Sequence, residues 1–390
     1  MDLKDELVRL RRILHAAPEV GLDLPRTQDV VLASLDSLPL EVSLGRSSSG
    51  VTGVLRGGRP GPTVLLRADM DALPMTEKTG LSFAANGPAM HACGHDLHTA
   101  MLLGAAHLLA EDREDLVGDV VFMFQPGEEG YDGAGHMLAE GLLEASGTPP
   151  VAAYALHVIS AVLPSGVVAT RPGSLMSAAD VLKVKVLGRG GHGSSPHRAA
   201  DPVQALCAMA TALQVFITRE IDVFDPAVVT VGRISGGTAH NIIPDTAELE
   251  ATVRSFSAAT RDRLVARLPA VCRSVAAAHG LDVDVELETL YPVTVNDADA
   301  AQTALGIAAE LFGPERTLEL PNPVTGSEDF SRVLQAVPGA MLFLGATPAG
   351  RDPADAPYNH APEADFDEAV LVDGARLYAE LARRRLVSTG

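Results

Sequence analysis

The stretch His91-Ala92-Cys93-Gly94-His95-Asp96-Leu97-His98 puts one thiol, three imidazoles and a carboxylate into eight residues. The run before it, Thr63 to Ala68, reads as a buried strand, and the run after it, Thr99 to Leu109, as a buried helix. A polar cluster between a strand and a helix is where an open α/β sheet places a site, so this stretch constrains the fold more than any other. Cys93 and His95 lie two apart, so one loop can turn both toward the same ion. Thiolate sulfur and neutral imidazole nitrogen suit zinc and its neighbours among the divalent metals. The alternative reading is a helix cap with incidental histidines.

The chain of 390 residues is longer than a single core supports, so two domains are expected. Its net charge of −20 argues against nucleic acid and anionic membrane surfaces, because no basic surface is available to neutralise phosphates. The three cysteines, Cys93, Cys207 and Cys272, imply no disulfide framework. Cys207 and Cys272 sit among alanines and leucines, where a free thiol serves as a small buried hydrophobe. The charged start Met1 to Glu6 lacks an apolar signal region, and no apolar stretch is long enough to span a membrane. The expectation is a soluble cytoplasmic protein.

Leu3, Leu7, Leu10 and Leu14 repeat at helical spacing, and a second helix follows Pro25. The strand after Gly50–Arg56 delivers Asp69 and Asp71, two apart and on one face of an extended backbone. The pair can cap the following loop or orient a metal-bound imidazole from behind. Strand Asp119–Gln125 runs into Pro126-Gly127-Glu128-Glu129-Gly130. Neighbouring side chains on extended backbone point opposite ways, so one glutamate can hold a metal while the other faces substrate; the plain alternative is a surface turn. Strand Val151–Leu156 ends in His157. His360, in Pro357-Tyr358-Asn359-His360-Ala361-Pro362, is a further candidate ligand, and Thr325–Phe330 reads as a helix start with capping acids.

From Asp180 the pattern alternates as a half-exposed strand does. The order β-α-β-β-α-β over about 180–289 is that of a ferredoxin-like α+β unit. It interrupts a first domain formed by 1–179 and 290–390, an α/β domain with a central mixed sheet flanked by helices. Two glycine-rich loops of the insertion, around His192 and around Asn241, carry polar residues; the first lacks the Lys-Ser/Thr ending of a phosphate loop.

Arg67-Ala68-Asp69-Met70-Asp71-Ala72-Leu73-Pro74, the His91 stretch, Gln125–Gly130, Leu156-His157-Val158, the His192 and Asn241 loops, Gly326–Phe330 and Asn359–Pro362 together resemble the M20 metallopeptidase family. The similarity covers nearly the whole chain. It is closer to the amidohydrolase subfamily, which has a Cys at position 93 where the main branch has an Asp. The resemblance implies two divalent cations (Zn, Mn, Co or Ni) held by Cys93, His95, Glu129, His157 and His360. It implies Glu128 as general base and acid, with Asp71 orienting an imidazole. It also implies that His192 (oxyanion stabilisation, possible in trans within a homodimer) and Asn241 reach the substrate from the insertion acting as a lid, and that Arg254 holds a substrate carboxylate.

Three functions compete at this point. The first is a metal-dependent amidohydrolase of N-acyl or N-aroyl amino acids, the second an exopeptidase of the same fold, and the third a silent binding protein for amino-acid conjugates. The third needs a broken site, and every implied ligand is present.

Overall fold

The computed structural model describes residues 2–388. The chain divides into two compact units. The first takes the chain up to Leu175, Val295–Asn322 and the chain from Asp329 on; the second takes Met176–Thr294 and Pro323–Glu328.

The first unit holds a mixed sheet in the order Leu40–Leu44, Val51–Arg56, Val117–Gln125, Arg59–Asp69, Ala152–Ile159, Gly339–Gly345, Val168–Thr170 and Thr317–Glu319. The four central strands run parallel. Parallel strands are covered on both faces, which explains runs such as Val120 to Phe124 that are apolar throughout rather than alternating. The strand carrying His157 runs on to Ile159, so this histidine lies inside the strand and not at its end. The edge strand Leu40–Leu44 alternates apolar and polar residues and is largely exposed.

The helix after the polar stretch begins at His95, four residues earlier than its apolar run suggests. It is apolar around its whole circumference because it is buried between neighbours. Gly104 permits that closeness, since a Cβ there would stand 2.9 Å from the Ala375 Cβ of the last helix, Val370–Ser388. In the first helix, Leu3–Ala16, Leu7, Leu10 and Leu14 face the core as their spacing predicts. Fully burying each such side chain contributes roughly 1.5–3 kcal/mol.

The second unit is a four-stranded antiparallel sheet ordered Ala227–Gly236, Thr246–Ser255, Ala178–Leu187, Asp282–Tyr291, with helices Pro202–Glu220 and Ala258–Ala278. Chain order and sheet order are those of a ferredoxin-like fold. Asp201 caps the first helix by accepting the Val203 N–H, and Ser257 caps the second by accepting the Thr260 N–H. Leu182, Val184 and Val186 point into this unit's own core while Lys183 and Lys185 alternate outward. Cys272 joins the core, but Cys207 is exposed, because its turn of the helix faces away from the sheet.

One expected element is absent. Residues 325–330 start no helix; the nearest one is the short Ser331–Ala336. Asp329 accepts hydrogen bonds from distant partners, the side chains of Gln125 and Arg67 and the backbone N–H of Ala134.

Candidate metal centre

The carboxyl ends of the parallel strands deliver the polar residues, as expected for an open α/β sheet. Between Cys93 and His95, Gly94 adopts φ +85°, and a Cβ there would lie 2.3 Å from Val158 Cγ2. Only glycine lets this loop turn both neighbours toward the same ligand cluster. His360 holds φ +71°, a conformation uncommon for a residue with a side chain and typical of functional sites. Its N–H donates to the Ala92 carbonyl at 2.9 Å, which ties the two loops together.

Cys93 is the centre of the cluster. Its Sγ lies 3.3 Å from His157 Nε2 and 3.2 Å from His360 Nε2. His360 Nε2 is also 3.1 Å from Glu129 Oε1. Two triads, Cys93/His95/His157 and Cys93/Glu129/His360, each have ligand atoms within 4.8 Å of one another, and a third joins His95 to Glu128 and Glu129. The first two share the thiol, and together they contain the five residues the sequence singled out.

Asp71 lies two residues beyond the end of the strand that carries Asp69. Its two oxygens accept the backbone N–H groups of Glu128 and Glu129, each at 3.0 Å, which fixes the adjacent glutamates. Asp69 Oδ2 and Asp71 Oδ1 flank His95, 3.6 Å from Nε2 and 3.5 Å from Nδ1, and neither contact is aligned as a hydrogen bond.

A divalent cation fits this donor set. Both ring nitrogens of His95 are buried without a hydrogen-bond partner, a costly arrangement unless something else binds them, and the Oε1 of Glu129 has His360 Nε2 beside it without hydrogen-bond alignment. The surroundings also favour positive charge. Burial disfavours a proton on His95, yet Asp69 overrides that and holds its pKa well above the usual value. The neighbours Cys93 and Glu129 raise His360 to about 10, outweighing the partial desolvation of its ring.

His157 donates Nδ1–H to the Val158 carbonyl at 2.8 Å, which leaves its Nε2 lone pair toward Cys93. Burial keeps the ring neutral. Both properties suit a ligand.

The second unit carries the other candidates. Gly191–His192 pairs with Ile242–Ile243, and the Gly193 N–H donates to the Asn241 carbonyl at 2.8 Å, so the two glycine-rich loops are zipped together. His192 Nδ1 accepts the Ser194 N–H at 3.1 Å, which places the proton of the neutral ring on Nε2. Arg254 is not with them. It lies eight residues along its strand from Thr246, roughly 27 Å at the rise of an extended chain. Half-buried, it donates to the Ser327 hydroxyl at 3.1 Å, and burial lowers its pKa from the usual arginine value.

Sequence reasoning missed Asn359, Ser160, Ser194 and the role of His98, because each acts through contacts that no local pattern encodes.

The model of peptidase family M20/M25/M40 matches residues 65–384. A curated relative named thermostable carboxypeptidase 1, from Saccharolobus solfataricus, is 38% identical over 98% of this chain and 95% of its own length. IAA-amino acid hydrolase ILR1-like 4 of Arabidopsis thaliana is 37% identical over 99% of this chain and 87% of its own. The crystal structure of the Bacillus subtilis YXEP protein, described as a dinuclear metal binding peptidase, superposes with a TM-score of 0.84 at 30% identity, covering 100% of this chain and 99% of that one.

Proposed function

The chain belongs to peptidase family M20/M25/M40, and we propose that it is a two-cation amidohydrolase that cleaves N-acyl or N-aroyl amino acids into a carboxylic acid and a free amino acid. The observation that carries this reading is the pair of ligand triads sharing Cys93, with Glu128 beside them. Cys93, His95, Glu129, His157 and His360 would hold the cations, with Zn, Mn, Co and Ni as the candidates. Bound there, the cations supply Lewis acidity toward water and toward the amide carbonyl.

The remaining steps belong to the chain. Glu128 takes the proton from the attacking water and later returns it to the leaving amine. Asp71 keeps Glu128 and Glu129 in register through their backbone N–H groups. His192, protonated on Nε2, donates to the oxyanion as it forms. Asn241 contacts the substrate beside it, and Arg254 holds the carboxylate of the amino-acid half. Arg254 sits at the opposite end of its strand from the His192 and Asn241 loops, which favours His192 and Arg254 of one chain serving different sites. This supports a homodimer in which the ferredoxin-like unit acts as lid and dimerisation domain and supplies His192 in trans.

The second reading is an exopeptidase, favoured by the relative named carboxypeptidase. A hydrolysis panel separates the two: N-acetyl, N-benzoyl and indole-acetyl amino acids beside dipeptides, with each metal supplied. Preference for the acyl amino acids is expected. Turnover confined to peptides would replace this reading with the second.

A further inference from the structure

Asn359 precedes His360, and its side chain uses both of its polar ends. The Oδ1 atom accepts the Ser160 N–H at 2.9 Å and lies 3.0 Å from the Ser160 hydroxyl, whose proton also faces the Pro357 carbonyl at 2.8 Å. The Nδ2 atom donates to the Val158 carbonyl at 3.0 Å and to the Cys93 carbonyl at 3.2 Å, with Cys93 Sγ 3.9 Å away. A flipped amide would turn its N–H groups against the Ser160 N–H, so this orientation is the one the partners accept.

These partners belong to three ligand-bearing segments. Cys93 offers the shared thiol. The Val158 carbonyl is the same atom that accepts His157 Nδ1–H and so leaves His157 Nε2 unprotonated. His360 is the next residue in the chain, in its left-handed conformation. We propose that Asn359 is a positioning residue of the cation site, the amide that locks the Cys93, His157 and His360 segments into ligating geometry. This rests on the five-ligand reading above. Alanine would release all three segments. Aspartate, of the same shape, would turn a carboxylate oxygen toward two carbonyl oxygens.

The test uses full-length protein loaded with Co²⁺ alone. It reads the thiolate-to-cobalt charge-transfer absorption, Co²⁺ affinity by competition with a chromophoric chelator, and melting of the metal-free protein. N359A and N359D should bind Co²⁺ roughly tenfold to a hundredfold more weakly, the usual effect of removing a hydrogen bond behind a ligand. Their charge-transfer band should weaken, while metal-free melting stays close to that of the wild type. Ser160→Ala, which removes only the hydroxyl, should show a smaller loss in the same direction, and it carries the test if the Asn359 variants fail to fold. Wild-type affinity and spectrum in the variants that fold would overturn the proposal. So would a fall in metal-free melting large enough to account for the lost affinity. Cys93→Ser tests the ligand reading separately: a charge-transfer band that survives in it defeats that reading whatever Asn359 does.

Discussion

The Nε2 atom of His98 accepts the backbone N–H of Val158 at 2.8 Å, and this bond removes His98 from the possible ligands. Its other nitrogen, Nδ1, donates to Asp69 Oδ1 at 2.5 Å, so both ends of the ring are used. Burial lowers its pKa and favours the neutral form that this tautomer requires. Asp69 in turn stays ionised: burial alone would raise its pKa, but the Arg67 guanidinium, with Nη1 2.7 Å away, outweighs it. The close grouping of Asp69, His95 and His98 is therefore a support built on the His98–Asp69 hydrogen bond and not a further ligand set.

His98→Ala should accordingly destabilise the protein by roughly 1–3 kcal/mol, the cost of leaving buried partners unsatisfied. Cation content should be unchanged. Elemental analysis of the purified variant decides, and loss of one cation per chain would make His98 a ligand after all.

Much of the site was legible because polar residues at the ends of apolar runs have few structural reasons to be there. Glu128-Glu129 after a buried strand is one such case, and Cys93 and His95 between strand and helix are another. What stayed hidden depends on distance in sequence. Nothing near Asp329 shows that its carboxylate meets Gln125, so the local sequence suggests only a helix cap. Arg11 and Asp96, 85 residues apart, form a buried ion pair at 2.8 Å between the first helix and the start of the His95 helix. The tautomers of His98, His157 and His192 are set by backbone groups, which no side-chain pattern records.

The adjacent glutamates should separate cleanly. Glu128→Gln should keep the cations and lose turnover by ~10²–10⁴-fold, the usual contribution of a general base. Glu129→Gln should lose cation as well, which metal analysis beside kcat will show. If both variants kept metal equally and only Glu129→Gln were inactive, the two roles would be reversed.

Stability should fall at alkaline pH through His15. Burial disfavours its charge, but Asp96 and Glu77 override burial and the nearby Arg11 and raise its pKa from 6.5 to about 9. A raised folded-state pKa contributes stability that is complete below pH 6.5 and lost as pH rises through about 9. The contribution is on the order of 3 kcal/mol. Urea unfolding from pH 6 to 10 should show this decline in the wild type and a flatter profile in His15→Gln. Parallel profiles would remove His15 as the cause.

The trans arrangement is tested by mixing two inactive variants, Glu128→Ala and His192→Ala, under conditions that exchange subunits. Each mixed dimer then has one intact site, and random exchange makes half the dimers mixed. About a quarter of wild-type activity should return. No recovery, with exchange verified by mass spectrometry, would place His192 at the site of its own chain.

The most direct test of the central claim is amide hydrolysis measured against cation content. The account predicts two divalent cations per chain, activity abolished when a chelator removes them, and activity restored when one of the candidate metals is returned. Full activity in protein shown by elemental analysis to be metal-free would contradict it.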